Sequence, residues 1–214
     1  MKIITKTNKN NGLPNSDFNK YLKHSVEPSK LSTGETDDLY KILKEQLEIH
    51  QGFGLAANQL GIDKRVCLIH IEDVELFLVN PVITYQSTDG IVFYESCLSL
   101  PKTMIKPVKT IRSTKIKVKT DNLGELTFEV NKEADRDSKE EKVSIETMQT
   151  IIVQHEIDHL NGITILERRR SQPTIKTQKF SRNDKIIMKS PTGDIVEVKY
   201  KKSNDFYLKG YEVI

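Results

Sequence analysis

Gln154-His155-Glu156-Ile157-Asp158-His159-Leu160-Asn161-Gly162 is the stretch whose reading decides the fold. Met148, Ile151, Ile152 and Leu160 recur around it at helical spacing, so the segment reads as a helix with an apolar stripe turned to a core. Histidines at i and i+4 share one helix face, and both imidazoles can reach a single metal ion. Glu156 lies about 100° round the helix from His155, near enough to act on an activated water without being a ligand itself. This is the layout of metal-assisted hydrolysis.

On either side of that helix the chain is β-rich or irregular. Ser144 or Ile145 starts the helix and Gly162 closes it. Residues 65–71, 75–83, 91–98, 115–119 and 125–130 read as strands, separated by Asn80-Pro81, Asp89-Gly90 and Asn122-Leu123-Gly124, and consecutive runs of this kind suggest an antiparallel meander. Residues 132–142 carry charges of both signs and no large apolar side chain, as a solvated loop does. Residues 1–36 are polar and punctuated by Gly12, Pro14 and Pro28, which reads as an arm and loops. Thr36 or Asp37 then caps a helix carrying Leu39, Ile42, Leu43, Leu47 and Ile49. Gly52-Phe53-Gly54-Leu55-Ala56-Ala57-Asn58-Gln59 breaks that helix, with glycines suited to close backbone approach.

At 214 residues the chain has room for one well-packed domain and a small appendage. The boundary falls at Arg168-Arg169-Arg170-Ser171-Gln172-Pro173, which divides the chain into 1–170 and a small β-rich, basic module at 171–214. In that module Lys185 to Lys189 and Ile195 to Tyr200 flank the turn Pro191-Thr192-Gly193-Asp194, a hairpin signal, and 204–208 suggest one helical turn. No apolar run approaches the ~18 residues of a membrane helix, so no membrane partner is expected. The first residues have neither a secretory apolar core nor the arginines of a transit peptide, which makes the cytoplasm the expected location. A net charge of +3 is too small to argue for DNA.

Two histidines need a third protein ligand if one position is to stay open for water. Glu167, eight residues past His159 and read as lying on a β segment, fits the usual downstream spacing poorly; His24, His50 and His70 lie upstream in unremarkable contexts. Of the two cysteines, Cys67 sits in a β-branched apolar run and reads as a small buried hydrophobe. Cys97, in Tyr94-Glu95-Ser96-Cys97-Leu98-Ser99-Leu100-Pro101, is the better ligand candidate, since a soft thiolate suits Zn²⁺ or Fe²⁺.

Three separated segments then coincide with one family. Gly52 to Gln59 is similar to the GxGxAAxQ motif of peptide deformylases, Glu95-Ser96-Cys97-Leu98-Ser99 to their EGCLS motif, and Gln154 to Gly162 to their QHExDHLxG motif. The order and approximate spacing agree over about residues 20–168. The resemblance implies an α+β fold in which antiparallel β-sheets surround a central helix carrying HExxH. It implies one divalent ion held by Cys97, His155 and His159, with Fe²⁺ common in the family and Zn²⁺, Ni²⁺ or Co²⁺ able to fill the same site. The reaction implied is hydrolysis of the N-formyl group from the formylmethionine of nascent polypeptides, with release of formate. Glu156 would take a proton from water and give it to the leaving amine. Gln59 and the backbone N–H of Leu98 would hold the oxyanion, although Gln59 also reads as an amide that steadies a loop. Gly52, Phe53, Gly54, Ser96, Ile151 and Ile152 would line the substrate pocket, where pocket wall and core packing are hard to separate.

Two departures from the family stand out. Ser96 occupies a position commonly held by glycine; a serine at φ > 0 would be strained by about 1–2 kcal/mol and at any other φ is tolerated, and reduced or altered activity is expected. The end of the chain reads as a hairpin module rather than the ribosome-docking helix of one common bacterial type, which points to a bacteriophage-type or divergent bacterial form, in bacterial or host cytoplasm. Lys176 to Lys202 holds eight Lys or Arg against three Asp or Glu, a net of +5, and either contacts the ribosome or forms a lysine-protected edge hairpin. Two other readings stay open: an HExxH metallopeptidase, and a deformylase-like binder of formylated peptides that does not turn them over.

Overall fold

A computed structural model describes residues 1–5, 16–100, 106–133, 143–168, 185–190, 194–199 and 212–213. By its internal contacts the chain divides into two compact units, Met1–Arg170 and Ser171–Ile214.

In the first unit helices α1 (Ser16–Leu22) and α2 (Thr33–His50) precede strands β1 (Gly54–Ala56), β2 (Val66–Ile71), β3 (Val74–Val79), β4 (Val82–Gln86), β5 (Gly90–Glu95), β6 (Val108–Ser113), β7 (Lys115–Thr120) and β8 (Gly124–Glu129); α3 (Ile145–Leu160) and the single turn α4 (Ile165–Arg168) follow. All strand pairs are antiparallel, but they form three sheets, in the orders β1-β2-β3, β4-β7-β8 and β5-β6. A simple meander is therefore the wrong topology: β4 skips the β5–β6 hairpin to pair with β7. The run expected at 75–83 is broken at Asn80, whose φ of 49° is left-handed. Its side chain accepts from Ser29 N and donates to Ser29 O and Asp121, supporting a conformation asparagine tolerates better than most residues.

Three other local expectations change. Residues 16–22 are helical because Phe18 and Leu22, four apart, bury 97% and all of their surface on one face. Helix α2 starts earlier than Thr36 because Ser32 and Glu35 form a capping box: Glu35 N donates to Ser32 Oγ at 3.3 Å and Ser32 N to Glu35 Oε2 at 2.9 Å. The glycine-containing break after α2 is itself a strand, β1, with Gly54 opposite Ile69 and Ala56 opposite Cys67. Strand β6 was not read from the sequence; it pairs along its whole length with β5, from Gly90 opposite Ser113 to Glu95 opposite Val108.

Helix α3 is the centre of the unit. Ser144 caps it by accepting from Thr147 N, and Gly162, at φ 71°, turns the chain away beyond its end. Val153, Ile157 and Leu160 are fully buried with Cys67, Ile69, Leu78, Ile116 and Val118, so residues of both three-stranded sheets pack into one core with the helix. Each such aliphatic side chain contributes about 1.5–3 kcal/mol by burial. The C-terminal end is tied down by the buried guanidinium of Arg65, which donates to Leu160 O (3.1 Å), Asn161 Oδ1 (2.8 Å), Val26 O (3.0 Å) and Pro81 O (2.9 and 3.1 Å). A cation at a helix C-terminus also complements the helix dipole. The two histidines therefore sit on a helix with fixed ends and a fixed buried face.

In the second unit β9 (Lys185–Lys189) pairs with β10 (Ile195–Lys199) and with β11 (Glu212–Val213). Ile186 and Met188 are buried while Ile187 is exposed, the alternation of a one-sided sheet. The strands of the expected hairpin are thus present; its turn residues 191–193, the helical turn at 204–208, the Arg169–Pro173 part of the boundary, residues 134–142 of the charged loop and residues 6–15 of the arm lie outside the described residues. No helix among the described residues is long and apolar enough to cross a membrane.

Candidate metal centre

Helical spacing does bring His155 and His159 together: their ring centroids are 4.8 Å apart and their Nε2 atoms 3.1 Å apart. The sheet brings the third donor. Strand β5 ends at Glu95, and Cys97 begins a tight turn closed by Leu100 N donating to Cys97 O at 2.9 Å. That turn is packed among Phe18, Leu22, Val108 and Ile165, which leaves Cys97 93% buried with Sγ 3.2 Å from His159 Nε2. One donor atom from each of the three residues lies within 4.8 Å of the others. The alternative ligands are elsewhere. Glu167 lies on α4, not on a β segment, and is held by Lys23 and Thr164. His24 is exposed, His70 faces Glu75, and His50 is exposed at the rim of the cavity.

The donor set fits a borderline-soft divalent ion, Zn²⁺ or Fe²⁺, with three protein ligands and a free position. One orphaned atom agrees with a reacting group beside such an ion: Glu156 Oε2 is buried without a hydrogen-bond partner among the described residues. Burial opposes a proton on His155, yet the Cys97 and Glu95 side chains outweigh it and hold that histidine well above the ordinary imidazole range, while burial and the neighbouring His155 push His159 well below it.

Behind His155 lies a group of residues missing from the sequence-derived site. His155 Nδ1 is 2.6 Å from Glu95 Oε2. With Nε2 turned to the other two donors, Nδ1 carries the hydrogen and donates it to the carboxylate. Arg112 grips the same carboxylate in a fork, Nε to Oε1 at 2.6 Å and Nη2 to Oε2 at 2.8 Å, and Thr110 donates to it from the neighbouring position on β6. Burial would raise the Glu95 carboxyl, but His155 and Arg112 hold it well below the usual carboxylate range. Glu95 stands inside a quoted motif and could have been singled out; Arg112 lies on β6, the strand not read from the sequence.

Glu156 is 97% buried, and burial, assisted by Glu95, pushes its carboxyl up to about 7 against the pull of His155 and Arg112. A side chain at residue 54 would occupy the space of this carboxylate and come within 2.7 Å of Ile152 Cγ2, so the glycine is required by close approach. Gln59, 99% buried, accepts from Ala56 N at 2.8 Å through Oε1. That bond fixes the amide's direction and presents Nε2 to Ser99 Oγ (3.1 Å) and to Cys97 Sγ (3.9 Å). The loop-steadying role and a role at the site therefore belong to opposite ends of one amide.

A cavity of about 390 Å³ opens beside these groups, and all six sequence-derived pocket residues, Gly52, Phe53, Gly54, Ser96, Ile151 and Ile152, line it, as do Leu98, Gln59 and Glu156. Sequence reasoning missed Phe93, Tyr94 and Met148 in its wall; the alternation of β5, which turns Ile91, Phe93 and Glu95 to one face, could have indicated the first. Ser96 is exposed at the mouth and is not among the residues with positive φ. The strain expected of a serine there is absent, because the backbone never enters the left-handed region. Ser96→Gly should accordingly change stability by no more than about 0.5 kcal/mol, as an unstrained exposed change does; a gain of about 1–2 kcal/mol in denaturant unfolding would restore the strained reading.

Comparison with known proteins agrees with this geometry. The sequence profile of the family described as polypeptide deformylase matches residues 16–174. A peptide deformylase of Dictyoglomus thermophilum is 33% identical over 157 residues, covering 73% of this chain and 91% of its own. Among solved structures, the class I type b peptide deformylase of Acinetobacter baumannii with Met-Ala-Ser bound is 26% identical at a TM-score of 0.58, over 78% of this chain and 98% of that one. A probable peptide deformylase of Synechococcus phage S-SSM7 is 27% identical at a TM-score of 0.58, over 78% and 99%.

Proposed function

This chain belongs to the polypeptide deformylase family, metal-dependent hydrolases that remove the N-formyl group from nascent peptides, and from that premise we propose which of its residues perform the reaction. Cys97, His155 and His159 hold the metal, and the observation that carries the assignment is that one donor atom of each lies within 4.8 Å of the other two. When bound, the ion supplies a Lewis acid and lowers the pKa of water towards about 7. Glu156, raised to the same region by burial, takes the proton of the attacking water and returns it to the leaving amine nitrogen. Gln59 Nε2 and the Leu98 N–H donate to the oxygen that gains charge as the formyl carbon becomes tetrahedral. Ile151 and Ile152 form the apolar wall of the cavity for the methionine side chain, with Phe53 at its rim, while Gly52 and Gly54 let the peptide backbone lie close.

Formate release from formyl-Met-Ala-Ser tests the reading; the Acinetobacter relative is solved with the corresponding deformylated peptide. Gln59→Ala should lower kcat by about 10² to 10³, the cost of one oxyanion donor, at unchanged metal content. Equal rates in the two proteins would return Gln59 to a loop-steadying role.

The resident ion of this reading is Fe²⁺, which a Cys-His-His set accommodates, with Zn²⁺ the competitor favoured by affinity; metal analysis of anaerobically purified protein distinguishes them. Residues 1–170 form the catalytic domain, and it works in the cytoplasm, where nascent chains carry formyl groups. The basic segment 176–202 contacts the ribosome. Its net charge of +5 supports this, and such contacts weaken steeply with salt. Pelleting with ribosomes should depend on residues 171–214 at low salt and lose that dependence as salt rises; pelleting that ignores the tail removes the docking role.

A further inference from the structure

The Glu95–Arg112 pair behind His155 does not end at Arg112. Its third donor, Nη1, bonds Asp158 Oδ2, and Asp158 is also gripped by Arg168, Nε to Oδ2 at 2.9 Å and Nη2 to Oδ1 at 2.6 Å. Four charged groups thus run from α4 to the candidate ligand, two carboxylates alternating with two guanidiniums. Glu95, Arg112 and Asp158 leave 4%, 2% and 5% of their side chains exposed, whereas Arg168 leaves 42%. An ion pair of two exposed side chains would be worth little. Here one member reaches solvent while its partner is buried, so the exposed arginine decides the charge balance of an enclosed set.

We propose that Arg168 is a positioning residue for the metal site: by neutralising Asp158 it leaves Arg112 free to hold Glu95, and Glu95 in turn holds His155 by its Nδ1 hydrogen. This deepens the metal-ligand assignment of His155 and rests on it. With Arg168 present the four groups sum to zero charge. Without it, two carboxylates compete for the one guanidinium of Arg112, which already gives two donors to Glu95 and one to Asp158. The fork on Glu95 loosens, and the imidazole loses the partner that fixes its tautomer and ring direction. Removing Asp158 as well leaves Glu95 and Arg112 balanced again.

The test uses the full-length protein loaded with Zn²⁺, comparing wild type, Arg168→Met and the double variant Arg168→Met/Asp158→Asn. Two readouts are taken: release of zinc to a chromogenic chelator, and solvent exchange of the His155 Nδ1 proton by NMR. Arg168→Met should speed both by about tenfold, the low end of what losing an outer partner of a metal ligand costs. The double variant should return both to within about threefold of wild type, because restoring balance restores the fork. A lower melting temperature in Arg168→Met with both rates unchanged makes Arg168 a mere fastener of α4 and overturns the proposal. Slower zinc release also overturns it, since an uncompensated carboxylate acting only through its charge would hold a dication more tightly. A wild-type protein that binds no zinc at Cys97, His155 and His159 brings down the ligand assignment and the proposal with it.

Discussion

Glu156→Gln should lower formate release by at least about 10² and up to about 10⁴, the range for loss of a general acid–base group, in a protein that keeps one metal ion per chain. The substitution is nearly isosteric, so the side chain still fills the space that glycine at residue 54 leaves open. What disappears is a carboxylate able to accept a proton at near-neutral pH, a property conferred by its burial beside Glu95. A glutamine amide does not take that proton, and the leaving amine is no longer protonated by the protein. Formate measured alongside metal content by mass spectrometry decides the point: a variant within tenfold of wild type, fully metallated, would show that another group moves the proton.

Cys97→Ala should abolish stoichiometric metal binding. Its thiolate is the one anionic donor of the three, so removing it asks a buried pocket to hold a dication with two neutral imidazoles. The ion supplies several kcal/mol of charge stabilisation in such reactions, so activity should fall by about 10³ or more at 1.36 kcal/mol per tenfold. The fold should survive, because the alanine still packs among Phe18, Leu22, Leu100 and Val108 and leaves only a small cavity. Dialysis against a weak chelator followed by metal analysis separates the two proteins. A Cys97→Ala variant that stays metallated and active would falsify the ligand set and revive the HExxH metallopeptidase reading with a different third ligand.

The relation between sequence and structure differs from element to element. Helix α3 was legible to within a residue at both ends, since Ser144, the apolar spacing and Gly162 each act through neighbours within one or two turns. The placement of His155 and His159 on one face was equally legible, because i, i+4 neighbours follow from 3.6 residues per turn. Helix α1 was not, because two apolar residues in a polar stretch become a helix only when a core exists to receive them. Apart from β1 and β6, the strands of the first unit were found as runs but assigned to one meander, since alternation says which face is buried and nothing about which strand lies alongside. The Ser96 expectation rested on a backbone angle, which a sequence does not contain and which proves ordinary.

What the sequence by itself determined is therefore the local chemistry: two imidazoles and a carboxylate on one helical turn, a cysteine and a glutamine in motifs matching one family, and a basic final segment. Backbone geometry over a few residues dictates those features, and no distant contact is needed to read them. Only the tertiary structure decided that Cys97 stands 3.2 Å from His159, 62 residues away in the chain, and that Glu95, Arg112, Asp158 and Arg168 line up behind His155. Those contacts depend on β5 pairing with β6 and packing beside α3. Such long-range pairing is settled by burial across the whole domain rather than by any local stretch of it.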